Sequence, residues 1–250
     1  MLTTHPTFPL LSKAPVIEAI IGISLLAPDN ILPTLKALNA SLPNPYPGTS
    51  EILELQAKIE FKLESETTSS KRQVGWQFIS QDTRQAYQAR LNGFSFHRLA
   101  PYENWDTFLA SARELWLNYR SAVSQIPIKQ FSVRYINSID LPLGEEISDY
   151  LSVYPEIPKG LPQKLSRYSM NLELPLTGRS DGLLLVRHAL NPFDQAKPDV
   201  VTVIMDNEFV VFAEPSLSDD EMWIRINALR EIKNTTFKDS ITPKMLDLLR

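Results

Sequence analysis

Glu18, Arg134 and Asn137 each interrupt an apolar, strand-like run: V-I-E-A-I-I-G-I-S-L-L at 16–26, and Q-F-S-V-R-Y-I-N-S-I-D-L at 130–141. A polar side chain in such surroundings is costly to bury unless it has a partner. If the two runs are neighbouring strands, the carboxylate of Glu18 and the guanidinium of Arg134 can meet as an ion pair. Such a pair more often fixes strand order than performs chemistry, although costly polar groups also collect at ligand sites.

Two further pairs, His97-Arg98 and Arg187-His188, sit near the ends of strand-like runs. Brought together across a two-fold axis they would form a cationic cluster able to hold an anion. Left apart, they are solvated strand-end residues.

Many familiar chemistries are excluded. With no cysteine there is no thiolate nucleophile, disulfide or cysteine-ligated metal site. The three histidines are scattered, and no phosphate loop, dinucleotide fingerprint, nucleophile elbow or H-E-x-x-H motif is present. No catalytic residue, metal or cofactor is therefore assigned. A net charge of −4 lacks the basic surplus of a nucleic-acid binder, so nucleic acid is disfavoured as a partner. The most apolar stretch, 16–27, contains Glu18 and is too short to cross a bilayer. The first fifteen residues show no basic-then-apolar leader, and the expected location is cytoplasmic. The Asn-x-Ser/Thr matches at Asn39 and Asn234 then carry no glycosylation meaning.

The elements that must position these residues follow from periodicity. After the strand at 16–26, Pro28-Asp29-Asn30 opens a short helix carrying Ile31, Leu35, Leu38 and Leu42. A proline-rich loop at 43–50 leads to 54–64, where Leu55, Ala57, Ile59, Phe61 and Leu63 alternate with charged or polar residues. A polar turn at 65–71 is expected next. Runs at 73–80 and 85–91 then read as a hairpin, the second continuing toward Phe96. Trp105, Phe108, Ala112, Leu115 and Tyr119 mark a long amphipathic helix.

The same order returns: a strand at 130–141, a short helical stretch at 145–151, a proline-rich loop at 155–162, and strands at 166–175, 182–189 and 200–212. A helix follows, with Met222, Trp223, Ile226, Leu229 and Ile232 on its stripe. Asp219, Asp220 and Glu221 suit its N-terminus, and Thr242-Pro243 starts a last helix.

The chain thus reads as an α+β protein of two β-α-β-β-β-α units, 1–127 and 128–250, offset by roughly 114 to 116 residues. The expected sheet is largely antiparallel with its helices on one face.

Three segments carry a family resemblance: A-P-V-I-E-A at 14–19, V-R-Y-I-N at 133–137 with Ile139 and Pro142, and Phe237 followed by Ser240-Ile241-Thr242. Their order and spacing resemble a sporadically distributed bacterial and archaeal family of about this length and of unknown function. The resemblance covers the whole chain and brings no catalytic residue with it. The family's patchy distribution implies a link to mobile-element or defence genes.

The leading functional expectation is a non-enzymatic binding or scaffold protein working through a protein partner or a homodimer. The alternative is a small-molecule or nucleotide-binding protein, enzymatic or not, with its site where the two halves join.

Overall fold

The computed structural model describes residues 11–26, 31–60, 66–123, 126–163, 165–176, 181–191 and 196–250, leaving aside the side chains of 56–60 and 66–69. One antiparallel sheet of nine strands organises these residues, in the order β2-β3-β4-β5-β1-β6-β9-β8-β7. The strands are β1 (Val16–Leu25), β2 (Gly48–Glu60), β3 (Glu66–Ile79), β4 (Gln85–Arg90), β5 (Gly93–Leu99), β6 (Ile128–Pro142), β7 (Tyr168–Pro175), β8 (Gly182–Leu190) and β9 (Val200–Phe212). The helices are α1 (Leu32–Ala37), α2 (Trp105–Ala122), α3 (Asp219–Ser240) and α4 (Pro243–Leu248). The α+β class and the antiparallel sheet agree with the sequence reading. Among the described residues no helix is long and apolar enough to cross a membrane.

β1 and β6 pair at the centre, with Ile20 opposite Arg134 and Gly22 opposite Ser132. β5 lies outside β1 and β9 outside β6, and each of these two strands is followed in the chain by a long helix. The period of two sorts the side chains of the central strands by face. Ala19, Ile21 and Ile23 of β1, Phe94 and Phe96 of β5, Phe131, Val133 and Tyr135 of β6, and Phe209 and Val211 of β9 form one buried layer. Against this layer pack Phe108, Ala112 and Leu115 of α2 and Met222, Ile226 and Leu229 of α3. The main core thus takes residues from both halves, and a smaller cluster around Leu141, Leu151, Val203 and Met245 lies toward α4.

Polar bonds tie the two long helices to each other. Trp105 Nε1 donates to Asn227 at 2.8 Å, and Trp116 Nε1 donates to Asp219 at 2.9 Å. The start of α2 therefore lies beside the middle of α3, and the end of α2 beside the start of α3, so the helices run antiparallel. Asn104 caps α2, Ser218 and Glu221 form a capping box on α3, and Thr242 caps α4.

Four sequence expectations change. The run at 85–91 does not continue toward Phe96. β4 ends at Arg90, the chain turns at Leu91-Asn92, and β5 returns beside it. Gly93 opens β5 just after this two-residue turn, and the backbone requires glycine there: a Cβ on it would stand 2.4 Å from the Ile23 carbonyl oxygen. The first half therefore has five strands and the second four. Of the polar stretch 65–71 expected as a turn, residues 66–71 instead belong to β3, which begins at Glu66 and zips against β2. Its backbone bonds to β2 outweigh a composition rich in Thr and Ser. In the second half the expected helix at 145–151 shrinks to a single 3₁₀ turn, Ile147–Asp149. The turn residues 28–30 and the alternating positions Phe61 and Leu63 lie outside the described residues.

Phe96 is fully buried and stacks on Phe108 with ring centroids 5.6 Å apart. Phe96→Ala is expected to lower unfolding stability by about 3–5 kcal/mol, read from the urea midpoint at unchanged slope.

Candidate functional site

The sheet divides the sequence-derived candidates between two faces. Glu18, His97, Arg134 and Arg187 occupy the face away from α2 and α3. Arg98, Asn137 and His188 are buried on the helix side. Within His97-Arg98 and Arg187-His188, adjacent residues point to opposite faces, as strand geometry dictates. The two pairs also do not converge, since β5 and β8 stand four strand spacings apart, roughly 19 Å.

On the open face, the expected Glu18–Arg134 ion pair is replaced by two separate contacts. Arg134 grips Asp206 of β9 with two parallel bonds, Nε to Oδ1 at 2.7 Å and Nη2 to Oδ2 at 2.6 Å. Glu18 instead accepts a bond from His97 Nδ1 at 2.8 Å. That bond, opposed by partial burial and helped by the nearby Arg134 charge, holds the Glu18 carboxyl below its usual range. The Asp206 bonds likewise raise the Arg134 pKa, keeping the guanidinium charged. Arg187 completes the network, 3.0 Å from Glu208 and 3.6 Å from Asp206. Asp206 is only 6% exposed, although it stands on the open face, because both arginines cover it.

Beside this network lies a depression of about 370 Å³, centred on β1 and walled by Ser95, His97, Ser132, Arg134 and Gln88.

On the helix side, Arg98 pairs with Glu103. His188 Nε2 lies 3.2 Å from Asn207 Oδ1, and burial lowers its pKa, which keeps the imidazole neutral as a structural residue. Asn137 lines a second pocket, about 250 Å³, between the starts of β1 and α2, the middle of β6 and the last turns of α3. Tyr102 and Tyr135 face it, their hydroxyls 2.7 Å apart. Burial pushes the Tyr102 phenol up to about 12 and raises the Tyr135 phenol well above its ordinary value, so both stay protonated at neutral pH.

Lys233 reaches into the same pocket. Its ammonium sits 4.3 Å from the Tyr135 ring centroid and donates to Asn234 Oδ1 at 2.7 Å. Among the described residues no carboxylate comes within 4 Å of it. Burial, with Arg230 adding repulsion, lowers the Lys233 pKa to about 8. Arg230 also lines the pocket, and Trp105, Pro15, Val16 and Phe237 supply apolar wall.

Among the described residues, no group of three or more His, Asp or Glu side chains is arranged to hold a metal.

Sequence reasoning passed over Asp206, Glu208 and Lys233. Each had a signal. Asp206-Asn207-Glu208 is the polar break inside the apolar strand 200–212, and Lys233 falls four residues after Leu229 on the buried stripe of α3.

No family model and no curated protein matches this chain.

The Glu18 carboxylate contributes stability above its unfolded pKa, near 4.3, and loses it as pH falls through the lower folded value. Glu18→Gln should therefore be less stable than the parent at pH 7, with the gap closing toward pH 3 in paired chemical denaturations.

Proposed function

We propose that this protein binds a small organic anion in the pocket between α2 and α3 at the junction of the two halves. One observation carries the reading: the Lys233 ammonium is partly buried with no carboxylate within 4 Å among the described residues, and it opens onto a pocket it shares with Arg230. A buried charge without a counter-ion is expensive, and a ligand carboxylate or phosphate would supply one. The neutral phenols of Tyr102 and Tyr135, with Asn137 and Asn234, offer directional bonds beside it, and the Trp105 and Phe237 walls suit an apolar body. The volume is below the usual range of roughly 300–1,000 Å³, which favours a metabolite-sized ligand over a dinucleotide.

The two-unit architecture belongs to this proposal, because it explains why a site forms at the junction. At a constant spacing of 114 residues, the cap Asn104 matches Ser218, and buried Phe108, Ala112 and Leu115 match Met222, Ile226 and Leu229. Two such units meeting through β1 and β6 would place the pocket at their shared seam. In this reading the ligand-binding expectation stands ahead of the scaffold expectation.

A thermal-shift screen of small carboxylates and phosphates tests the reading. A ligand should raise the melting midpoint by about 2 °C or more at saturating concentration. Lys233→Met should melt higher than the parent without ligand, because a costly ammonium is gone, and should lose the ligand shift. An anion that binds only to the parent supports the site; equal binding to Lys233→Met removes it.

Proton linkage gives a second check. An anion beside Lys233 raises its lowered pKa, so binding near pH 8.5 should take up protons, an uptake that vanishes near pH 6, where the amine is already charged. Calorimetry in buffers of different ionisation enthalpy measures it.

A further inference from the structure

The open face of the sheet holds a second arrangement, independent of the anion pocket. Ser95 and His97 are two residues apart on β5 and therefore point to the same side. His97 Nε2 lies 2.8 Å from Ser95 Oγ, and His97 Nδ1 lies 2.8 Å from Glu18 Oε1. A carboxylate accepts and cannot donate, so Glu18 places the imidazole proton on Nδ1 and leaves Nε2 free to accept from the Ser95 hydroxyl. The lowered Glu18 pKa keeps that carboxylate charged through neutral pH.

The sheet register also supplies space for a reactant. Gln88, Ser95, Gly22 and Ser132 stand in one row across β4, β5, β1 and β6. Gly22, with no side chain, leaves a gap between the two serines, and a Cβ placed there would come within 3.0 Å of Ser132 Oγ. This gap belongs to the depression of about 370 Å³, which Arg134 and Gln88 also line with hydrogen-bond donors. Ser95 and His97 are both partly exposed there, within reach of a molecule from solvent.

We propose that Ser95 is a nucleophile for acyl transfer from a small ester, with His97 as its general base and Glu18 as the positioning residue that sets the imidazole tautomer. Ser95 Oγ bonds to the acyl carbon as its proton passes to His97 Nε2. The bond from the acyl carbon to the leaving oxygen breaks, and His97 returns the proton to that alcohol. Water then attacks the acyl-serine, again giving a proton to His97, and the acid leaves as Ser95 regains its hydrogen. The developing oxyanion faces the Ser132 hydroxyl and the donors of Arg134 and Gln88.

Labelling of the full chain with an alkyl fluorophosphonate tests the proposal, since displacement of fluoride by a serine leaves a mass adduct that peptide mapping can place. The expected result is one adduct, on Ser95, absent from Ser95→Ala. His97→Gln should slow labelling by about 10²-fold or more. Glu18→Gln should slow it about tenfold or more, and Glu18→Asp should recover part of the loss, which a purely structural role would not produce. Gly22→Val keeps all three residues but fills the gap and should also block labelling.

Melting midpoints identify any variant that fails to fold, and Ser95→Ala with His97→Gln, the least disruptive pair, decide the matter. No adduct on Ser95, or labelling at an unchanged rate in His97→Gln, overturns the proposal.

Discussion

The antiparallel pairing of β1 with β6 is the constraint on which the rest of the molecule depends. It joins residues more than a hundred positions apart and makes one continuous sheet from two strand sets that would otherwise end there. It also brings Ala19 and Ile21 beside Val133 and Tyr135, so the layer under α2 and α3 is shared by both halves. Closing such a long loop is entropically unfavourable until many contacts form together, which ties the pairing to the core beneath it.

That pairing also sets the charge pattern on the open face. Glu18 and Asp206 both stand opposite Ile136, on either side of β6, and Arg134 lies diagonally between them. Arg134 takes Asp206, which is the more deeply buried, and His97 takes Glu18. Each carboxylate thus gains a donor without sharing one, and this division makes the imidazole available to Ser95 on its other side.

The helix side follows a different logic. There the polar groups stand within apolar surroundings, and several find partners in place: Asn207 meets one nitrogen of His188, Glu103 pairs with Arg98, and Asn227 accepts from Trp105. Lys233 is the exception in kind. Its contacts are an amide oxygen and an aromatic face, neither of which carries the negative charge a buried ammonium calls for. Stability gained by removing it and binding lost by removing it are two consequences of the same desolvation.

The sequence by itself determined most of the strands and the two long helices, because alternation and helical spacing are local properties of neighbouring positions. It also singled out Glu18, Arg134 and Asn137 as costly, since burial can be inferred from apolar neighbours. The breaks at Asp206 and Lys233 were legible there too, in interrupted apolar patterns. Only the tertiary structure decided who meets whom. Partner choice depends on register between strands distant in the chain, and moving one residue along a strand sends a side chain to the other face. That is why Asn137, three residues from Arg134, lines the helix-side pocket while Arg134 and Glu18 face the open side, each with a partner that no local pattern specifies.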